Sequence, residues 1–600
     1  MEPNALREEL RHRYKVERDK RLRPDGIHQY REPTERFSYL SEDPYTQQIE
    51  RPSIESNTDV VIIGAGFAGI VAGVSIRKRG VTDIRVIDTA GDFGGVWYWN
   101  RYPGAMCDTA AMVYLPLLED SGTIPSAKYI GGREIREHAQ RLARTHHLYD
   151  GALFHTKVTR LVWDASISRW SIFTNRGDHI RARFVFIGTG PLSRPKLPGI
   201  PGLETFEGTL FHTSRWDYGA TGGDENGSPM NLLGSKRVGI IGTGATAVQC
   251  IPFLAASSKE LFVFQRTPSS IDVRANQPIE EAWYSSLPVG WQKSWLRNFA
   301  TLQTGGFAET DLVADGWTEI ASRIRDKVMS RLERGFPMDS DTLIHAYEEA
   351  DDEKMEEIRK RVDSIVTNVD TANSLKPWYR QLCKRPCFHD EYLSAFNQEN
   401  VQLIDTDGKG VEGVDSTGAW VNNQHFPLDV LILASGFETG TALSRRTGFD
   451  IVGKDGQNLD DYWSNGMRSL HGIYIKGFPN LFLVGHAQGA NLISNITHNY
   501  VEVGAAVADV IQYALREEMR VVEVLQEAEE EWMSLMESAV GDSMLGNSEC
   551  TPGYYNNEGG PLLRGEKLGS VGHPDGPMGF FSLLDQWRSD GQFRGLNFEQ

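Results

Sequence analysis

The sequence predicts an α/β protein. Two segments, 59–88 and 236–264, each read as a strand running straight into a glycine loop, a helix and a second strand. Between about 275 and 380 strand signals fade and helical charge spacing takes over. Paired βαβ units are the building blocks of a parallel sheet covered by helices, so the chain is read as two Rossmann-like dinucleotide-binding domains with a helical insertion.

Each element follows from local pattern. Residues 1–57 alternate acids and bases (Arg7, Glu8, Glu9, Arg11, Arg13, Lys15, Glu17, Arg18) without an apolar core. No signal peptide is expected there; a charged helical arm lying on the body and ending at the Arg51-Pro52 link is. The uncharged stretch 60–76 is too short and too broken by glycine to span a membrane. A helix is predicted at 68–79 and a strand at 84–88. The second unit repeats the order, with a strand at 236–242, a helix reaching 256 and a strand at 261–264. In the insertion, 351–363 sets opposite charges four residues apart, on one helix face. Strands return at 401–404, 429–434 and 480–484. The expected division is 1–57 for the extension, 58–190 for the first part of one nucleotide domain and 191–275 for the first part of the other. The insertion then takes 276–379, 380–428 completes the second domain, and 429–600 completes the first and carries the carboxy-terminal segment.

Composition narrows the function classes. The 62 basic and 81 acidic residues leave a net charge of −19, which repels nucleic acid and anionic membrane. Five scattered cysteines (Cys107, Cys250, Cys383, Cys387, Cys550) argue against an extracellular disulfide framework, and a reducing, cytoplasmic setting is expected. The close pair Cys383 and Cys387 has a three-residue gap instead of the redox CxxC spacing and reads as two ordinary thiols. No metal is expected, and the oligomeric state is not legible.

The two glycine loops carry the first chemistry. In Gly64-Ala-Gly66-Phe-Ala-Gly69 the first glycine makes the turn, the second lets backbone approach a pyrophosphate, and the third allows helix and strand to pack closely. The phosphates then meet the free N–H groups of a helix start. Asp88 ends the next strand, where a carboxylate accepts ribose hydroxyls, so this unit is assigned FAD. The second loop runs Gly242-Thr243-Gly244-Ala245-Thr246-Ala247. Gly64 to Asp88 and Gly242 to Arg266 are equally spaced, but the second unit ends in Gln265-Arg266-Thr267. An acid there would repel a 2′-phosphate, whereas a guanidinium binds it, so this unit is assigned NADPH; the alternative is a surface arginine capping a strand. Two dinucleotide sites in one chain indicate a flavoprotein reductase or oxygenase.

Longer motifs are more specific. Phe206-Glu-Gly208-Thr-Leu-Phe-His212-Thr-Ser-Arg-Trp216-Asp217 resembles the FxGxxxHxxxW(P/D) fingerprint of type I Baeyer–Villiger monooxygenases. Gly94-Gly95-Val96-Trp97 through Arg101-Tyr102-Pro103-Gly104-Ala-Met106-Cys107-Asp108 is similar to the family's second motif. Lys384-Arg385, the stretch 429–437 and the stretch 478–482 follow in the family's order. The arm and the segment around Tyr554 resemble the N-terminally extended subgroup that includes cyclopentadecanone and macrocyclic-ketone monooxygenases. The triplets Gly188-Thr-Gly190 and Ala434-Ser-Gly436 depart slightly from the common Ala-Thr-Gly, and near the place where many shorter members carry a tryptophan the sequence reads Pro552-Gly-Tyr554-Tyr, so that role is not transferred.

The resemblance implies a cycle in which NADPH reduces FAD, dioxygen is trapped as a C4a-peroxyflavin, and attack on a ketone gives an ester or lactone. It implies Arg385 as the catalytic cation and Asp108 as its partner. It places Gly64, Gly66, Gly69, Asp88, Val96, Trp97, Asp108 and Tyr114 on FAD. It places Met106, Cys107, Thr243, Gly244, Ala245, Thr246, Ala247, Gln249, Arg266, Thr267 and Lys384 on NADPH. Phe206, Gly208, His212, Trp216 and Asp217 are expected to couple the domains; His212 is not taken as a general base. The expected partners are a small-molecule ketone and O2. Three rivals stay open at this point: an N- or S-oxygenating flavoprotein, a disulfide reductase using Cys383 and Cys387, and an NADPH-responsive flavin-binding module.

Overall fold

The structure is a computed structural model that describes residues 3–485, 488–490, 495–539, 549–560 and 571–600. A helix, α1 (Pro3–Asp19), opens the chain. The first nucleotide unit follows as β1 (Glu55–Ile63), α2 (Phe67–Lys78) and β2 (Ile84–Ile87). Val60 to Ile63 are 5% exposed or less because this strand is covered on both faces, which is why it reads as a continuous apolar run. Each such side chain contributes roughly 1.5–3 kcal/mol on burial. An antiparallel meander, β3 (Val158–Asp164), β4 (Arg169–Thr174) and β5 (His179–Ile187), completes the sheet, with β5 parallel to β1. β1 starts at Glu55, ahead of the expected 59, because residues 55–58 pair with residues 179–182 of β5. The meander itself was not among the predicted elements.

The chain then crosses to a five-stranded, all-parallel sheet. It holds β6 (Thr209–His212), β7 (Arg237–Ile241), the helix α3 (Ala245–Ser257) and β8 (Glu260–Gln265). The insertion follows, with α4 (Trp291–Gln303), α5 (Gly316–Glu333) and α6 (Ser340–Ile365) as its main helices. β9 (Val401–Asp405) and β10 (Val430–Leu433) complete the strand order β9-β8-β7-β10-β6, so this unit runs past the expected boundary at 428, because residues 430–433 pair with β7 and β6. A small antiparallel sheet spanning 413–427 precedes β10 and was not anticipated. On return to the first sheet, β11 (Leu481–Leu483) pairs with β5, and α7 (Ile496–Arg516) lies on α2. No described helix is long and apolar enough to cross a membrane.

The two crossings sit at equivalent places. β5 ends at Ile187 and β10 at Leu433; the next residues, Gly188 and Ala434, donate to Ile63 O and Ile241 O at the ends of β1 and β7. A Cβ on Gly64 would fall 2.4 Å from Gly188 O, and one on Gly242 would fall 2.6 Å from Ala434 O. The small triplets are therefore needed for contact with the loops, and both first glycines adopt φ near +110° (115° and 112°). The crossings also bond each other: Lys196 N donates to Gly436 O, and Pro195 bridges Phe437.

The cysteine expectation needs correction. Cys383 is not a free thiol; it is bonded to Cys550, 167 residues later, while Cys107, Cys250 and Cys387 remain free and buried. The carboxy-terminal segment folds back onto the 383–387 loop, a long-range contact that no spacing in the sequence reveals. The reading of two ordinary thiols therefore holds for Cys387 and fails for Cys383, and the rival disulfide reductase loses the pair it would have cycled.

Gly242→Ala should lower the thermal unfolding midpoint, since both the clash and the positive φ cost about 1–3 kcal/mol. Gly244→Ala meets nothing within 4 Å and should leave nucleotide-free stability unchanged, as checked by unfolding without cofactor in the buffer.

Candidate cofactor and active site

On the first unit, α2 starts at Phe67 directly after Gly66. Gly69 has no room for a side chain, because its Cβ would lie 1.9 Å from Gly64 O. Gly66 faces Gly95, whose Cα would be 3.3 Å from an added Cβ, so the Gly94-Gly95 turn leans against the loop and starts the short helix Val96–Trp99. Asp88 stands at the tip of β2. Its Oδ2 accepts from Ala65 N at 2.6 Å and its Oδ1 from Ala90 N at 2.8 Å. Burial raises its pKa, and no cation among the described residues pairs with it. A half-buried, fixed acid with spare lone pairs beside a phosphate-type loop suits the ribose hydroxyls of FAD. Trp97 donates from Nε1 to Tyr114 OH at 2.8 Å, and the Tyr114 carbonyl accepts from Thr497, so both aromatics are held by the core.

On the second unit the backbone at Gly244 looks onto open space at the start of α3. The cradle beside it is basic. Arg266 follows β8, Thr267 carries Oγ1 next to it, and Lys384 approaches from the 383–387 loop. Burial, then Arg266, Arg21 and Lys196, pushes Lys384 down to about 7, with Glu558 opposing. A clear glycine N-terminus with cations at the end of the next strand fits an NADPH pyrophosphate and 2′-phosphate. Thr243 Oγ1 donates to Thr267 O at 2.8 Å, linking the glycine loop to the cradle. Gln249 is occupied between the domains: its Nε2 donates to Met106 O at 2.8 Å, and its Oε1 accepts from Tyr102 OH at 2.8 Å. Ala245, Thr246 and Ala247 form the first turn of α3. Cys107 is buried, and burial pushes its thiol up to about 12.

The catalytic candidates meet between the units. Asp108 is 3% exposed. Its Oδ2 accepts from Arg385 Nη1 at 2.7 Å and its Oδ1 from Arg274 Nη2 at 2.6 Å, while its carbonyl accepts from Trp317 Nε1 at 3.0 Å. One carboxylate therefore faces two guanidiniums, leaving one net positive charge. Burial opposes the Arg385 charge, but Asp108 outweighs it and holds that guanidinium well above its ordinary pKa. The Arg385 side chain stays 31% exposed. Tyr554, 45% exposed, and Tyr555 lie within its electrostatic reach.

The fingerprint is packed at the crossing. His212 ends β6, is fully buried and is pushed down to about 3 by burial and by Arg215, so it is uncharged. Its Nδ1 accepts from Ser214 N, and its ring meets Phe437 edge-on at 6.0 Å. Phe206 is buried, and a Cβ on Gly208 would strike its ring. Trp216 Nε1 donates to Thr221 Oγ1, and Asp217 caps the turn that follows.

Sequence reasoning missed Arg274, Trp317, Arg21, Lys196 and Glu558. Their only local signals are charge or size, and long-range folding alone brings them to the site.

Comparison with known proteins identifies the family. The family model for pyridine nucleotide-disulphide oxidoreductases matches residues 58–283. Over 596 residues the chain is 46% identical to neopentalenolactone D synthase of Streptomyces avermitilis, with 99% of each chain covered. It is 44% identical over 585 residues to a Baeyer–Villiger monooxygenase of Streptomyces coelicolor, covering 97% of this chain and 95% of that one. A solved polycyclic ketone monooxygenase from Thermothelomyces thermophila matches with a TM-score of 0.90 at 37% identity, covering all of both chains. The chain belongs to the Baeyer–Villiger monooxygenases, flavoenzymes that use FAD and NADPH to insert one oxygen atom beside a ketone carbonyl.

Proposed function

We propose that this enzyme converts a bulky ketone, polycyclic or macrocyclic in class, to its ester or lactone, with Arg385 as the catalytic cation and Asp108 as its positioning partner. The observation that carries the reading is the shared carboxylate: Asp108 between Arg385 and Arg274. Bound FAD, reduced by NADPH and supplied with O2, provides the oxygen atom that is inserted.

Within that chemistry the chain's own groups have separable work. Arg385 keeps its proton, and its exposed edge offers N–H donors to the substrate's carbonyl oxygen as negative charge builds on it. Asp108 fixes the guanidinium plane and cancels only one of the two positive charges. Trp317 holds the Asp108 backbone. Deep burial and a low pKa keep His212 out of proton transfer, so its expected domain-coupling role rests on the contact with Phe437. Tyr554 supplies a flat, partly exposed wall near Arg385. Support for a large ketone comes from the relatives named for polycyclic substrates and pentalenolactones, and from the extended amino terminus that the subgroup shares. The 2′-phosphate of NADPH is assigned to Arg266, Thr267 and Lys384, and Asp88 is assigned to the FAD ribose.

Arg385→Ala should reduce ester formation by about 10²–10³-fold while FAD stays bound and NADPH is still oxidised. The check is product chromatography beside a hydrogen peroxide assay. Wild-type ester yield from this variant would refute the assignment.

Lys384 gives a second outcome. With a pKa of about 7 it is mostly neutral at pH 8, and an arriving phosphate raises that pKa. NADP⁺ binding at pH 8 should therefore take up protons, and affinity should fall as pH rises from 7 towards 9. Calorimetry in buffers of different ionisation enthalpy measures the uptake directly, and Lys384→Met should abolish it.

A further inference from the structure

Glu558 lies on the carboxy-terminal segment, 4% exposed, inside the basic cradle. Its Oε1 accepts from Lys196 Nζ at 2.9 Å and from Tyr30 OH at 3.0 Å; its Oε2 accepts from Arg266 Nη2 at 3.2 Å. Arg266 uses its other Nη on Gln29 Oε1 at 2.8 Å. Arg21, from the amino-terminal arm and 6% exposed, donates from Nε to Arg266 O and to Thr267 Oγ1, both at 3.0 Å. Lys384 Nζ donates to Pro552 O at 2.9 Å, so this second cation is also held by the 550–560 segment. Arg21 has its own acid, Glu17, which leaves Glu558 facing Lys196, Arg266 and Lys384. Burial alone would raise the Glu558 pKa, yet Lys196 and Arg266 bring it down to about 2.

We propose that Glu558 is an internal anion that occupies the 2′-phosphate cradle and is displaced when NADPH binds. The inference rests on the assignment of Arg266, Thr267 and Lys384 to that phosphate. Both acceptors that must be given up, the Glu558 carboxylate and the Pro552 carbonyl, belong to one segment. That segment also carries Tyr554, and Cys550 ties it to Cys383, next to Lys384 and Arg385. Phosphate binding thus releases the contacts that Glu558 and Pro552 make in the cradle, while the disulfide keeps the segment tied to Cys383. NAD⁺ carries no 2′-phosphate and leaves Glu558 in place. Glu558 therefore sets how tightly NADPH is held, by a competition that depends on the phosphate alone.

The test is calorimetric titration of the FAD-loaded, full-length enzyme with NADP⁺ and with NAD⁺. Glu558→Gln should tighten NADP⁺ by at least about tenfold, a small share of what a buried charge pair commands, and leave NAD⁺ unchanged. Equal or weaker NADP⁺ binding in that variant overturns the proposal. Arg266→Ala separates the two layers. If it weakens NADP⁺ but not NAD⁺, the cradle assignment stands and Glu558→Gln decides; if it leaves NADP⁺ unchanged, the cradle assignment fails and takes the proposal with it. Hydrogen exchange on the unaltered chain covers a variant that fails to fold. The amides of Glu558 and Gly559, bonded to Gly553 O and Asn556 O, should exchange faster with NADP⁺ than with NAD⁺. Equal exchange with both nucleotides contradicts displacement.

Discussion

Asp108 between Arg385 and Arg274 is the interaction on which the site depends. Removing three charges from water is expensive, and a buried pair is rarely worth its desolvation as stability alone. An unequal count of charges makes sense where negative charge is to be stabilised in transit. Asp108 holds both guanidiniums, and the proposed reading assigns the remaining positive charge to an oxygen that becomes an anion during reaction. The carboxylate comes from the loop of the first nucleotide unit. The two arginines come from chain that follows β8 and the insertion. The same bonds that orient Arg385 therefore span the two units.

Around this triad the architecture is close to twofold in its logic. Each glycine loop is pressed by the end of a returning strand, Gly188 on Gly64 and Ala434 on Gly242, and the chain crosses between units at those points. The crossings bond each other at Lys196 and Gly436, and Phe437 receives the ring of His212. The fingerprint thus packs at the crossing. Its long sequence signal reflects a run of buried, sterically exacting positions such as Phe206, Gly208 and Trp216.

The sequence carried the local parts of this account well. Glycine loops, the acid or arginine at equal spacing, and the fingerprint are short-range patterns with a fixed geometry. Asp108 and Arg385 were reachable only through family resemblance, since a loop acid and a loop arginine have no pattern of their own. What stayed hidden needed chain closure over long distances. Cys383 meets Cys550 across 167 residues, Arg274 meets Asp108 across 166, and Glu558 meets Arg266 across 292. The arm was expected to lie on the surface. Much of it does, through Arg7 and Arg11 on Glu349 and Glu348, but Arg21 is buried and reaches Thr267 in the basic cradle.

The measurement that bears most directly on the central interaction is the amount of ester formed per NADPH oxidised by Asp108→Asn, with bound FAD quantified in the same sample. The amide keeps the shape, removes the anion and leaves Arg385 and Arg274 in mutual repulsion, a loss of about 3–5 kcal/mol of pairing. The account predicts that FAD is retained and NADPH is consumed, with ester per NADPH falling below about a tenth of the wild-type value and hydrogen peroxide making up the difference. Wild-type ester yield from an Asp108→Asn enzyme with full FAD would contradict it.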